Sequence, residues 1–297
     1  MPPRRRFSIP LPDGRTLLVG ERTLIMGIVN VTPDSFSDGG ALLDPARAID
    51  AAVQMVDDGA DLLDVGGEST RPGAEPLGAA EEVRRVLPVI EGLAVRVRVP
   101  ISIDTYKPQV AEAALGAGAS LVNDISGLRY EPDLAKVAAK HRSALVLMHT
   151  RGRSRNMYEH AVYHDVVDEV LDELRESVAF ATGAGVPPDR IIVDPGLGFA
   201  KDAAHTYEAL ARLDEFSQLG RPILVGPSRK RFLTKPFDSA QGKPRGETPP
   251  AERDWATAAA VSAAVFGGAH IVRVHAVRQM VQVARVSDEI RKYHRGD

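Results

Sequence analysis

Short apolar runs recur along the chain, each followed by polar residues and then by a segment with helical spacing. The runs cover residues 23–29, 62–66, 99–103, 120–125, 144–148, 190–193, 222–225 and 269–274. They are apolar without strict alternation, the pattern of strands buried on both faces of a parallel sheet. Between them, residues 45–58, 78–94, 108–117, 132–140, 165–184, 203–213, 255–265 and 277–292 carry apolar positions at the period of an amphipathic helix. Pro45 sits where an N1 proline belongs, and Asp254 where an N-cap belongs. Strand and helix alternating eight times predict an α/β chain folded as a single (β/α)8 TIM barrel over 1–297. An open doubly wound sheet is the alternative topology, weakened because neither a GxGxxG nor a GxxxxGK[ST] pattern follows the first run.

Two stretches depart from this rhythm. Residues 6–22 alternate loosely about Asp13-Gly14, a strong turn dipeptide, and predict an N-terminal β-hairpin that plugs one end of the barrel. Residues 234–253 contain Pro236, Pro244, Pro249 and Pro250 among mixed charges with no apolar period. They are expected to form a flexible insertion after the seventh barrel strand that adds nothing to the core.

Composition changes this picture mainly by exclusion. A net charge of −3 gives no general attraction to nucleic acid or anionic membrane, so any basic site must be local. Without cysteine there is no disulfide, thiolate nucleophile or Cys-ligated zinc, and a reducing cytoplasmic setting fits. Residues 7–12, Phe-Ser-Ile-Pro-Leu-Pro, are too short and too broken by proline for the apolar core of a signal peptide. The longest uncharged run, 256–272, is Ala-rich and interrupted by Gly267, Gly268 and His270, which predicts a buried helix leading into a strand rather than a membrane span.

The chemistry gathers where the strands end, which in a barrel is where active sites are built. There lie Asn30; Glu68 to Arg71; Asp104; Asn123 and Asp124; Met148 and His149; Asp194; Ser228, Arg229 and Lys230; and Arg273 with His275. Any one of the short polar residues is explained as a helix cap, but capping does not call for Arg71, Lys230, Arg273 and His275, because cations oppose the dipole at a helix start. Asp104, Asn123 and Asp194 suit the edge of an amide-amidine heterocycle, and the cations suit a phosphate or pyrophosphate. Asn30 and nearby carboxylates offer hard oxygen ligands of the kind Mg2+ takes. There is no HExxH or other zinc spacing and no defensible Ser-His-Asp order.

The polar loop of residues 30–40, Asn-Val-Thr-Pro-Asp-Ser-Phe-Ser-Asp-Gly-Gly, is one of several stretches that together resemble a known motif set. The others are 64–73, Asp-Val-Gly-Gly-Glu-Ser-Thr-Arg-Pro-Gly; 103–108, Ile-Asp-Thr-Tyr-Lys-Pro; 122–125, Val-Asn-Asp-Ile; 194–201, Asp-Pro-Gly-Leu-Gly-Phe-Ala-Lys; 228–230, Ser-Arg-Lys; and 273–275, Arg-Val-His. In order and type they resemble the motifs of the dihydropteroate synthases. That resemblance implies condensation of 6-hydroxymethyl-7,8-dihydropterin pyrophosphate with p-aminobenzoate, giving 7,8-dihydropteroate and pyrophosphate in folate synthesis, by a dissociative, Mg2+-assisted mechanism in a homodimeric transferase.

Carried over by motif, Asp104, Asn123, Met148, Asp194, Phe199, Gly226 and Lys230 would form the pterin pocket. Thr70, Arg71, Arg273 and His275 would hold the pyrophosphate, and Asn30 would meet Mg2+. Phe36, Thr70, Pro72 and Lys230 would frame p-aminobenzoate. Asp104, Lys230, Asp38 and Arg71 would act in the chemistry, with Asp38 and Asp104 supporting a cationic intermediate. Phe36 and Asp38 are expected to act only when the first loop closes.

Some details depart from the family pattern. Ala276 follows His275 where Asp is usual, Arg231 follows Lys230 where some members have Ser, and Thr-Arg-Gly-Arg-Ser at 150–154 replaces the usual Met-Gln-Gly-Thr-Pro. Two other readings stay open on the sequence: a methyltetrahydrofolate corrinoid methyltransferase on the same kind of barrel, and a non-catalytic pterin-binding paralogue.

Overall fold

A computed structural model describes residues 4–32, 44–69, 74–234 and 248–293. The residues Phe36, Asp38, Thr70, Arg71 and Pro72, read above as site residues, lie outside these, as do 235–247 of the expected insertion.

The hairpin forms first, from β1 (Phe7–Pro10) and β2 (Thr16–Val19), which pair antiparallel. Eight parallel strands follow: β3 (Leu24–Asn30), β4 (Leu62–Gly66), β5 (Ile101–Asp104), β6 (Leu121–Asp124), β7 (Ala144–Met148), β8 (Ile191–Asp194), β9 (Leu224–Val225) and β10 (Ile271–Val274). Their hydrogen-bonded order runs from β8 down to β3 and then through β10 to β9. A parallel bridge between Val193 and Ile223 joins the two ends, so the sheet closes into the (β/α)8 barrel.

Each strand core is apolar because the barrel lumen covers one face and the helices cover the other. The helices are α1 (Pro45–Asp57), α2 (Ala79–Arg96), α3 (Pro108–Gly116), α4 (Leu134–His141), α5 (Val166–Gly183), α6 (Ala203–Ala211), α7 (Asp254–Phe266) and α8 (Val277–Lys292). Pro45 opens α1 behind Asp44, whose side chain accepts from the Ala46 N–H. Asp254 is not the cap expected of it. It is the first residue inside α7, behind Arg253, and its carboxylate pairs with Arg229 at 2.7 and 2.8 Å.

The hairpin plugs the end of the barrel where the strands begin. Ile9, Leu11, Leu17 and Val19 pack on Leu24, Met26, Leu62, Leu121, Val146, Ile192 and Ile271. Burying each of those four side chains contributes roughly 1.5–3 kcal/mol before conformational entropy is set against it. The other end is left for polar residues. At the described margins of 234–253 the chain is packed, since Thr234 and Arg253 are buried and Arg253 donates to the carbonyls of Thr248 and Arg229 at 2.7 and 2.9 Å. Among the described residues, no helix is long and apolar enough to cross a membrane.

Candidate active site at the carboxyl end of the barrel

Parallel register brings the polar strand ends to one level. Asn30 pairs with Gly66, Gly66 with Asp104, Asp104 with Asn123, and Met148 with Asp194. Lys230 reaches the same mouth from the loop after β9, and Arg273 from within β10.

Arg273 organises the carboxylates. Its Nε donates to Asp64 Oδ2 at 2.5 Å and its Nη2 to Asp104 Oδ2 at 2.7 Å, while Asn123 Nδ2 donates to the same Asp64 oxygen at 2.9 Å. Burial works to lower the Arg273 pKa, but Asp64 and Asp104 outweigh it and the group is held above its ordinary value. Burial pushes the Asp104 carboxyl up to about 7, with Arg273 opposing that rise and Asp64 adding to it. Asp194 is likewise raised by burial, against the pull of Lys230 and of the Gly196 N–H, which donates to it at 2.7 Å. A site holding such carboxyls is suited to a ligand that brings N–H donors.

Lys230 donates to the Leu197 carbonyl, and its Nζ stands 4.3 Å from the centre of the Phe199 ring. Burial lowers its pKa to about 8, with Asp194 acting in the other direction. The floor beside it is apolar: Tyr106, Ile125 and Met148 are buried together, with Tyr130 and Phe199 packed against them. Tyr106 and Tyr130 meet edge to face at 5.1 Å. A flat heterocycle has both a polar rim and an apolar face to rest on here. Gly226 lies across from Arg273, where an added Cβ would come to 3.7 Å of the Arg273 Cβ. His275 meets Ser228, with Nδ1 at 3.0 Å from the hydroxyl oxygen and the His275 N–H donating to it at 3.2 Å.

Several supporting residues were not assigned from the sequence. Asp64 is fully buried in β4; in the sequence it opens the 64–73 motif and is a carboxylate inside an apolar run, but no role was assigned to it. Lys201, 1% exposed, donates to His149 Nδ1 at 2.8 Å and to the carbonyls of Gly196 and Phe199 at 3.3 and 3.2 Å, which fastens the loop after β8. In the same loop a side chain at Gly196 (φ 69°) would run into the His149 carbonyl, with its Cβ at 1.9 Å. Glu68, seen earlier only as a strand end, accepts from Lys107, from Tyr106 Oη at 3.2 Å and from the Leu77 N–H at 3.1 Å. Asp124 does not face the mouth. It folds its own turn by accepting from Ser126 N at 2.8 Å, Ser126 Oγ at 2.7 Å and Leu128 N at 2.6 Å.

The pterin binding enzyme family matches residues 26–275, most of the chain and every barrel strand after the start of β3. The dihydropteroate synthase of a Synechocystis strain is 46% identical over 96% of both chains. The chain belongs to the dihydropteroate synthases, within the pterin binding enzymes. It is therefore a transferase of folate synthesis, and the corrinoid methyltransferase and non-catalytic readings fall away.

Solved dihydropteroate synthases share the barrel closely. The Clostridium difficile enzyme, crystallised with pteroic acid, superposes with a TM-score of 0.84 at 42% identity, over 93% of this chain and 99% of that one. The Xanthomonas albilineans enzyme with 4-aminobenzoic acid gives 0.85 at 40% identity, over 95% and 98%.

Proposed function

We propose that the mouth formed by Asp104, Asn123, Asp194, Lys230 and Arg273 is where this dihydropteroate synthase binds 6-hydroxymethyl-7,8-dihydropterin pyrophosphate and joins it to p-aminobenzoate. The observation that carries this reading is the convergence of two buried carboxyls, an amide and two cations over the apolar floor of Tyr106, Ile125 and Met148. Asp104, Asn123 and Asp194 meet the rim of the pterin, while Met148 and Phe199 lie against its face and Gly226 leaves room beside Arg273. Arg273 and His275 hold the pyrophosphate, with Thr70 and Arg71. Phe36, Thr70, Pro72 and Lys230 serve the p-aminobenzoate, and Asp38 and Asp104 support the developing cation.

The reaction breaks the bond between the exocyclic methylene carbon and the pyrophosphate oxygen, which keeps the electron pair. Arginine and histidine stabilise the negative charge as it forms, and Asp104 and Asp194 stabilise the positive charge left on the pterin. The aryl amine then forms the carbon–nitrogen bond and releases a proton. No covalent enzyme intermediate is needed.

Mg2+ fits the donor set at the end of β3. Asn30 offers a neutral amide oxygen there, and among the described residues no group of three His, Cys, Asp or Glu could hold a metal alone. A hard ion bound by one side chain and completed by water and substrate phosphates is the ordinary situation for Mg2+. When bound it would neutralise the departing pyrophosphate.

A homodimer is also proposed. Val286 and Ile290 on α8 and Tyr293, which caps it, expose 60%, 52% and 84% of their surface at helical spacing, an apolar stripe that a second copy would cover. Cytoplasmic placement is supported by the cysteine-free sequence.

The test is pyrophosphate release on mixing both substrates with the protein and Mg2+. Release that needs both substrates, the protein and Mg2+ is expected, with loss on chelation and no change in Tm. Pterin binding without any pyrophosphate would reject the assignment of this mouth to the reaction.

A further inference from the structure

Asp64 lies in the middle of β4 between Leu63 and Val65 and is 0% exposed. Burying an isolated carboxylate in such surroundings is costly unless it is paired and hydrogen-bonded. Here one oxygen, Oδ2, accepts from Arg273 Nε at 2.5 Å and from Asn123 Nδ2 at 2.9 Å. The other, Oδ1, is buried and has no partner, as is the hydroxyl of Ser102, which stands opposite Asp64 in the β4–β5 register. The carboxylate is thus not matched to its surroundings by fold alone, since half of its hydrogen-bonding capacity is unmet.

What the paired half does is specific. A carboxylate only accepts, so the NH2 of Asn123 must face Asp64, and the amide oxygen is turned away from it. An apolar or donor residue at 64 would leave that amide free to flip. The guanidinium of Arg273 is planar, and bonds at Nε to Asp64 and at Nη2 to Asp104 fix both its position and its plane. Asn123 and Arg273 belong to strands β6 and β10, far apart in sequence, and Asp64 is the atom set they share.

We propose that Asp64 is a positioning residue for the pterin pyrophosphate, acting through Asn123 and Arg273 without touching the substrate itself. This rests on the assignment of those two residues to that substrate. Asp64 sets which face of the amide meets the heterocycle and the angle at which the guanidinium meets the pyrophosphate.

Asp64→Asn in the full-length protein tests this, because it keeps the volume and removes the obligate acceptor. Affinity for pterin pyrophosphate should weaken about 10- to 100-fold, the range for losing a hydrogen bond to a charged group, while the KM for p-aminobenzoate stays within about twofold. Arg273→Gln should weaken pterin pyrophosphate binding by itself. The double variant should then lose less than the product of the two single losses, since part of the Asp64 effect runs through Arg273 and only the Asn123 part remains to be lost. Losses that multiply, or an Asp64→Asn protein with unchanged pterin affinity beside an impaired Arg273→Gln, overturn the proposal alone. An Arg273→Gln protein with normal affinity overturns the site assignment and the proposal with it. If Asp64→Asn does not fold, 15N spectroscopy of arginine side chains in the native protein decides. The Nε–H signal that disappears in Arg273→Lys should resist solvent exchange without ligand, and free exchange overturns the proposal.

Discussion

Asp104→Asn should abolish synthesis of dihydropteroate yet make the ligand-free protein more stable at about pH 8. The Asp104 side chain is 11% exposed, and burial, the largest influence on it, raises its carboxyl to about 7. In the unfolded chain an aspartate titrates near ~3.9. Between those values the native state holds a proton that the unfolded state has lost, so stability falls as pH rises through the window from about 4 to about 7. A rise of about three units corresponds to at most about 4 kcal/mol. Part of that is forfeited in the variant, because Arg273 exchanges a carboxylate for an amide oxygen while Asp64 still balances its charge. The expected gain is about 1–3 kcal/mol, or roughly 2–10 °C in Tm for a chain of this size. Calorimetry of both proteins from about pH 4.5 to about 8.5 is the assay, and the gap between the two Tm values should open up to about pH 7.5 and then level off. A variant no more stable than the native protein at about pH 8, with a gap that does not depend on pH, would refute the reasoning and show that the Arg273 pairing outweighs burial.

Lys230→Ala should leave the fold intact, since Nζ reaches one backbone carbonyl and the face of Phe199, but should lower kcat/KM about 10- to 100-fold for both substrates; unchanged steady-state kinetics would remove Lys230 from the site. Deleting residues 238–246 should shift Tm by no more than about 2 °C, because loop length enters stability only logarithmically and the cut spares the Thr248 carbonyl that holds Arg253. A larger fall, read by scanning fluorimetry, would mean that the segment packs.

The polar strand ends were legible because a barrel of this topology has only one place for them. Runs of four to seven mostly apolar residues, several carrying Asn30, Asp104, Asn123, Asp194 or Arg273 at or near their ends, are a local pattern, and so is the alternation about Asp13-Gly14 that makes the hairpin. Boundaries moved little. The predicted 45–58 is Pro45–Asp57 and 277–292 is Val277–Lys292, whereas 222–225 contracted to Leu224–Val225, where Pro222 cannot donate to a ladder. Asp254 was misplaced by one position because a capping acid and a first-turn acid look alike in sequence.

By itself, the sequence determined the period, and with it the barrel, the end of the barrel that carries polar groups, and through its motifs the family. Only the tertiary structure decided how those groups pair. Nothing local says that Asp64 binds both Asn123 and Arg273, that Lys201 fastens the β8 loop through His149, or that Asp124 turns away to hold its own backbone. Periodicity records whether a residue is buried, which each stretch of chain settles for itself. Which buried charges meet depends on the register of strands more than two hundred residues apart, with Asp64 and Arg273 separated by 209, and that is fixed only when the barrel closes.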